Sequence, residues 1–241
     1  MLKLFILIFP LLSVSKTIVI DPGHGGNEVG AISTYFDKNQ KLEIYEKDLT
    51  LELSLKIQKI LKEKHDVFLT RNKDVFLSLE ERAKVAFQKK ADVFISIHFN
   101  SSPHKLVQGV ETYYLDNHND KAVHKVERLE NRVITTKNKS VDKILIDLAI
   151  QLTTKESQAL AKQVHQQLGS KFNEKHDMKD RGVKAGLFHV LALAQVPGIL
   201  LEAGFISNKK ELNKIINPDY LENYAQSVSA GIENYLKARA F

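Results

Sequence analysis

The chain has 241 residues, 43% hydrophobic and 27% charged, with 11 Gly and 5 Pro, values that describe one globular core rather than a fibrous or disordered chain. It has no Cys, which excludes disulfides, thiolate metal sites and a cysteine nucleophile, so any metal must be held by His and carboxylates. The formal charge of +6 and pI near 9.2 favour acidic partners, but the lysines are scattered and no basic-aromatic element stands out, so nucleic acid is not an expected partner.

The first residues differ from the rest. Lys3 supplies a positive start, Leu4 to Leu12 an apolar stretch interrupted by Pro10, and Ser13-Val14-Ser15 a small-x-small site. This is the anatomy of a secretory signal over residues 1–15, cleaved after Ser15. The stretch is too short to span a bilayer comfortably, and no later segment is long and apolar enough to be transmembrane.

Thr17 to Ile20 reads as a short buried strand entering the turn Asp21-Pro22-Gly23-His24-Gly25-Gly26. Leu49, Leu53, Ile57, Ile60 and Leu61 recur at helical spacing, predicting an amphipathic helix over Lys47 to Lys64. Val67 to Thr70 is a further strand, and Ser78 with Glu81 forms a capping box that starts a helix ending near Lys90. Val93 to Phe99 reads as a central strand and Val110 to Leu115 as another. Ser157 to Phe172 reads as helix and Ile199 to Leu201 as strand. Asn208 with Glu211 caps a short helix, and Asn217-Pro218 opens the last one. Strands alternating with helices predict a single α/β domain, a mostly parallel twisted sheet flanked by helices.

Residues 116–156 break that rhythm, being far longer than an ordinary connection. Val123, Val126, Leu129 and Val133 fall at helical spacing, as do Val141, Leu145, Leu148 and Leu152 after the polar break Thr135 to Ser140. A mostly helical insertion is expected there.

Three residues carry chemistry. His24 sits in a glycine-rich turn directly after a strand, where the backbone can bend sharply and project a side chain over the sheet edge. His98 ends the β-forming run Phe94-Ile95-Ser96-Ile97-His98, at the same end of the sheet, where open α/β sheets place ligands. Glu202 follows three aliphatics in Ile199-Leu200-Leu201-Glu202, and a carboxylate in a buried strand needs a proton-transfer, metal or ion-pair role. Two His and one carboxylate on zinc leave a position open for water, whose proton a second carboxylate can take. Spacing alone does not say which Glu plays which part.

The chain resembles the zinc-dependent N-acetylmuramoyl-L-alanine amidase family of bacterial cell-wall hydrolases. The matching stretches are Ile20-Asp21-Pro22-Gly23-His24-Gly25-Gly26, Glu46-Lys47-Asp48-Leu49, Thr70-Arg71 through Leu79-Glu80-Glu81-Arg82, Ser96-Ile97-His98-Phe99-Asn100-Ser101, Arg181-Gly182-Val183-Lys184, and Pro197 through Asn208. They follow family order over nearly all of residues 16–241, the expected catalytic domain. The resemblance implies one catalytic zinc held by His24, Glu46 and His98, with Glu202 as catalytic base. It implies hydrolysis of the amide between N-acetylmuramic acid and L-alanine in peptidoglycan, in wall remodelling and daughter-cell separation, by a protein exported to the periplasm or cell envelope. Asn100 is a candidate for substrate binding or for capping its loop.

Two departures stand out: Asn27-Glu28-Val29 is atypical after the glycine turn, and the loop before Glu46 is long. Glu43 is therefore a rival to Glu46, although only Glu46 is followed by Lys-Asp-Leu. Septal Gram-negative members carry a helical segment that covers the zinc until an activator protein displaces it. Leu129-Glu130-Asn131 and Ile144 to Ala149 resemble that segment, which makes Glu130 a candidate inhibitory fourth ligand; a helix pair packed away from the site is the alternative. His104, His118, His124, His165, His176 and His189 match no ligand position and are expected mostly in solvent. A zinc peptidase cutting within the stem peptide would use the same metal chemistry, and only its products distinguish it. A binding module without activity would have no use for Glu202.

Overall fold

A computed structural model describes residues 15–38, 40–131 and 139–239. The signal expected over residues 1–15 lies, but for Ser15, outside the described residues, as do Val133 and most of the polar break that follows it.

Six strands form one sheet in the order β4-β1-β5-β8-β6-β7, comprising β1 (Thr17–Pro22), β4 (Asp66–Leu69), β5 (Val93–Asn100), β6 (Val110–Leu115), β7 (Asp180–Gly186) and β8 (Gly198–Phe205). Every neighbouring pair is parallel except β6 against β8, so the sheet is mostly parallel, as expected. Both faces are covered. From β1, Ile18 and Ile20 enter one core with α1 (Glu46–Leu61) and α8 (Pro218–Lys237), whereas Val19 enters the other with α2 (Leu79–Lys89) and α6 (His189–Ala194). Strict alternation of side chains along a strand divides these residues between the two cores. Burial on both sides also explains why β5 is buried at all of its positions and reads as a near-continuous apolar run.

The helix starts behave as their residues dictate. Ser78 and Glu81 form a reciprocal capping box on α2, Asn208 caps α7 (Lys209–Ile215), and Asn217 caps α8 with Pro218 in its first turn. The long loop before Glu46 is a hairpin of β2 (Ile32–Asp37) and β3 (Gln40–Tyr45), which pair antiparallel. The sequence reading missed it: apolar residues lie on both of its faces, with Ile32, Phe36 and Leu42 exposed and Tyr35 and Ile44 packed inward, so no one-sided pattern marks it. It also missed β7, a half-buried edge strand containing Gly182, and α6, a single short apolar segment.

The insertion holds α3 (Lys121–Glu130), N-capped by Asp120, and the start of α4 (Lys139–Gln167). α4 runs without a break from the insertion into the helix expected at Ser157, since neither Gly nor Pro interrupts it. A π-helical turn, Leu168–Phe172, and the short α5 (Asn173–His176) end it. Within the insertion, Ile146, Ala149 and Ile150 pack inward, while Ile144, Leu148 and Leu152 are exposed. The expected helical spacing is present, but part of the apolar stripe it picked out faces away from the core.

Candidate active site

Strand register builds one wall of the site. His98 on β5 pairs with Glu202 on β8, which pairs in turn with Glu111 on β6. In each strand these residues share the parity of Phe94, Leu200 and Tyr113, which enter the core beneath α2, α3 and α6. A row of His, Glu and Glu therefore crosses three strands on one face.

Two arginines build the turn that presents His24. Arg82, buried on α2, donates to Asp21 Oδ1, Pro22 O and His24 O, each at 2.8 Å. Arg71 donates to Pro22 O at 3.0 Å and to Gly23 O at 2.8 Å. These bonds hold His24 at φ 61°, a left-handed conformation that costs a non-glycine residue energy. Gly23 allows the close approach of His98, because a Cβ there would lie 2.4 Å from the His98 ring.

Glu46 is the first residue of α1, at its positive end. Its Oε2 accepts from Ala31 N at 2.8 Å and its Oε1 from Phe99 N at 2.9 Å. Oε1 also lies 2.9 Å from His24 Nε2 and 3.2 Å from His98 Nδ1. From above, Glu130 at the end of α3 brings Oε2 to 2.7 Å from His98 Nδ1 and 3.6 Å from His24 Nε2. One donor atom from each of His24, Glu46, His98 and Glu130 falls within 4.8 Å of the others.

The electrostatics follow from this crowding. Burial by itself would lower the His24 pKa, but the Glu46 charge, contact with Glu28 and the Glu130 charge push it up to about 10. Burial opposes the charge of His98 too, and Glu130 and Glu46 push that ring up to about 10. Glu46 is held well below the usual carboxylate range: the two imidazoles outweigh its burial. Glu202 goes the other way, because burial and the charges of Glu130, Glu46 and Glu111 raise it well above the ordinary value.

These donors fit a metal ion. Nε2 of His24 and Oε2 of Glu130 are buried and make no hydrogen bond, although they face charged groups of the cluster; such atoms normally find partners. A cation at the common focus would satisfy them, and two imidazoles with carboxylates are a donor set for a borderline metal.

The Amidase_3 family, described as N-acetylmuramoyl-L-alanine amidase, matches residues 18–234. The chain belongs to this family. It is 30% identical over 228 residues to the N-acetylmuramoyl-L-alanine amidase AmiC of Escherichia coli O6:H1, covering 90% of this chain and 52% of that protein. The chain thus spans about half the length of that relative. The N-acetylmuramoyl-L-alanine amidase structure from Clostridium difficile 630 aligns with a TM-score of 0.65 and 28% identity, covering 93% of this chain and 98% of that one. The CwlD amidase from Clostridioides difficile, solved in complex with the GerS lipoprotein, gives a TM-score of 0.68 and 25% identity, covering 93% of this chain and 100% of that one.

Within this amidase-family domain, His24, Glu46, His98 and Glu130 are brought together, and Glu202 stands next to His98 in register. The rival Glu43 is exposed on β3, where Tyr45 donates to it. Asn100 caps its loop, its Oδ1 accepting from Ser101 N, and its Nδ2 donates to Glu111 at 3.0 Å. The expectation of solvated histidines needs correction. His104 is exposed, but His165 is buried between Thr112 and Asp180, and His118 and His124 both contact Glu127. Their partners lie far away in sequence or on a helix whose docked face was unknown.

Sequence reasoning quoted Glu28, Arg71, Arg82, Arg181 and Lys184 without giving them roles, and gave Glu111 none. Glu111 was open to discovery by the argument applied to Glu202, as a carboxylate inside a run of β-formers.

Proposed function

We propose that this chain is a zinc-dependent N-acetylmuramoyl-L-alanine amidase that cleaves the amide between N-acetylmuramic acid and L-alanine in peptidoglycan. The observation that carries the reading is the convergence of His24, Glu46 and His98 beside the buried carboxyl of Glu202. The three would hold one zinc and leave a coordination position for water or substrate. When bound, zinc polarises a carbonyl and acidifies water. Glu202 takes the proton of the attacking water and returns it to the leaving amine of alanine. Burial, which raises Glu202, suits it to both steps, since a catalytic acid–base group works best near the operating pH; a dication in the adjacent cluster would offset part of that rise. Arg82 and Arg71 fix the turn carrying His24.

Glu130 supports a covered resting state in which α3 occupies the open position. An activator protein that lifts α3 would expose the site, and the CwlD–GerS complex supports a partner-bound mode for this fold. Asn100 lines the neighbouring cavity and contacts substrate there. Export to the periplasm or cell envelope, and work at the division septum, follow from the substrate and from the signal expected over residues 1–15.

The test is to digest purified sacculi and identify the released ends by mass spectrometry. New alanine amino termini, with intact lactyl groups on the glycan, are expected; cuts confined to the stem peptide would replace the amidase reading with a peptidase one.

A further inference from the structure

A second cavity, of about 700 Å³, adjoins the metal-side cavity, and Ser101, Ser102, Pro103 and Leu129 line both. The two form one groove passing under the last turn of α3. The second cavity lies over the starts of β6 and β7, and Arg181 reaches into it.

The polar groups here do not cancel. Glu111 is a single buried carboxylate with two cations on one oxygen: Arg181 Nε and Lys184 Nζ both lie 2.6 Å from Oε1. Its other oxygen accepts from Tyr113 and Asn100. The residues lining the cavity include three cations, Arg181, Lys125 and Arg128, against one carboxylate, Glu111. Arg181 is also held rigidly. Its stem lies against Gly109, where a Cβ would come within 2.8 Å of its Cγ and Cδ, and its guanidinium sits 5.4 Å from the centre of the Phe205 ring. Among the described residues, only Nε is engaged in a hydrogen bond. The two terminal nitrogens are left as an ordered fork, the geometry that receives a carboxylate bidentately.

The geometry points to Arg181 as the receptor for a free carboxylate of the stem peptide, on the amine side of the scissile amide. This rests on the amidase reading. Glu111 neighbours Glu202 across β6 and β8, so Arg181 lies one to two strand spacings from the base, about 5–10 Å. An extended peptide covers that span in two or three residues at about 3.3–3.6 Å each. The groove thereby acquires a direction: the stem peptide runs toward Arg181, and the muramyl group lies on the side of Gly30 and Ala31.

The experiment compares two muramyl tripeptides that differ only at the second residue, free α-carboxylate against carboxamide, on the zinc-loaded chain. The carboxylate substrate should have the lower KM, by roughly tenfold or more, the range expected for a hydrogen bond to a charged group. Arg181→Gln should raise that KM to the carboxamide value while changing kcat little, and Arg181→Lys should restore part of the preference. An unchanged preference in a folded Arg181→Gln protein overturns the subsite. The two free stem tripeptides are also titrated into the wild-type protein by calorimetry. Tighter binding of the carboxylate form supports the subsite even if neither substrate is cleaved, a result that would sink the amidase reading alone. Equal affinities overturn the subsite whatever the activity, and this arm decides if Arg181→Gln does not fold.

Discussion

Nδ1 of His98 lies 2.7 Å from Oε2 of Glu130, so the last turn of α3 closes directly onto the end of the central strand β5. His98 and the Oε2 atom of Glu130 are buried, and Val123 and Val126 anchor the helix carrying Glu130. If this is a covering state, the protein should hydrolyse its substrate slowly when alone. Glu130→Ala should speed turnover of labelled sacculi, by about tenfold if closure is favoured by about 1.4 kcal/mol. Val123→Asp, which loosens α3 from its core, should do the same. Variants that stay folded and metal-loaded but are no faster than the parent would make α3 a structural flap instead.

Metal content tests the cluster. The purified protein should bind about one zinc, the count for a single three-ligand catalytic site, and His24→Ala, Glu46→Ala and His98→Ala should each lose most of it by elemental analysis. Because the imidazoles must shed protons to bind metal, affinity should fall on acidification. Wild-type zinc content in Glu46→Ala would move the ligand role elsewhere.

Glu202→Gln separates binding from chemistry. It should retain zinc and affinity for sacculi while hydrolysis falls on the order of 10²–10⁴-fold, the usual contribution of general acid–base catalysis. Near-normal turnover would remove Glu202 from the mechanism.

Asp21 should couple the His24 turn to pH. Burial alone would raise its carboxyl, but the Arg82 charge and the bonds from Thr70 and Arg82 outweigh it and hold the group below its usual value. The unfolded chain then binds the proton more readily. The stabilisation is complete above the unfolded value of about 3.9 and is lost as pH falls through the lower folded value. Asp21→Asn should cost roughly 3–5 kcal/mol at pH 7, as for other broken buried pairs. It should also flatten the acid limb of stability measured by denaturant titration below about pH 4. An acid limb unchanged by the substitution would assign the pH dependence to other groups.

Three of the candidate site residues, His24, His98 and Glu202, were legible in the chain because each stands at a local signal. His24 follows a strand in a glycine turn, and His98 and Glu202 end apolar runs, whereas Glu46 was marked only by the family resemblance of Glu46-Lys47-Asp48-Leu49. Helix starts at Ser78, Asn208 and Asn217 were equally plain, since capping is decided within four residues. What only the tertiary structure decided is which distant residues meet. The His98–Glu202–Glu111 row comes from strand order, and strand order is not written in any local period. Arg181 meets Glu111 because β7 lies beside β6, although the two residues are remote in sequence. The docking of α3, which brings Glu130 onto the two histidines, is a matter of long-range packing. Spacing can place residues on one face of a helix, but only the surface against which that face packs determines what they touch.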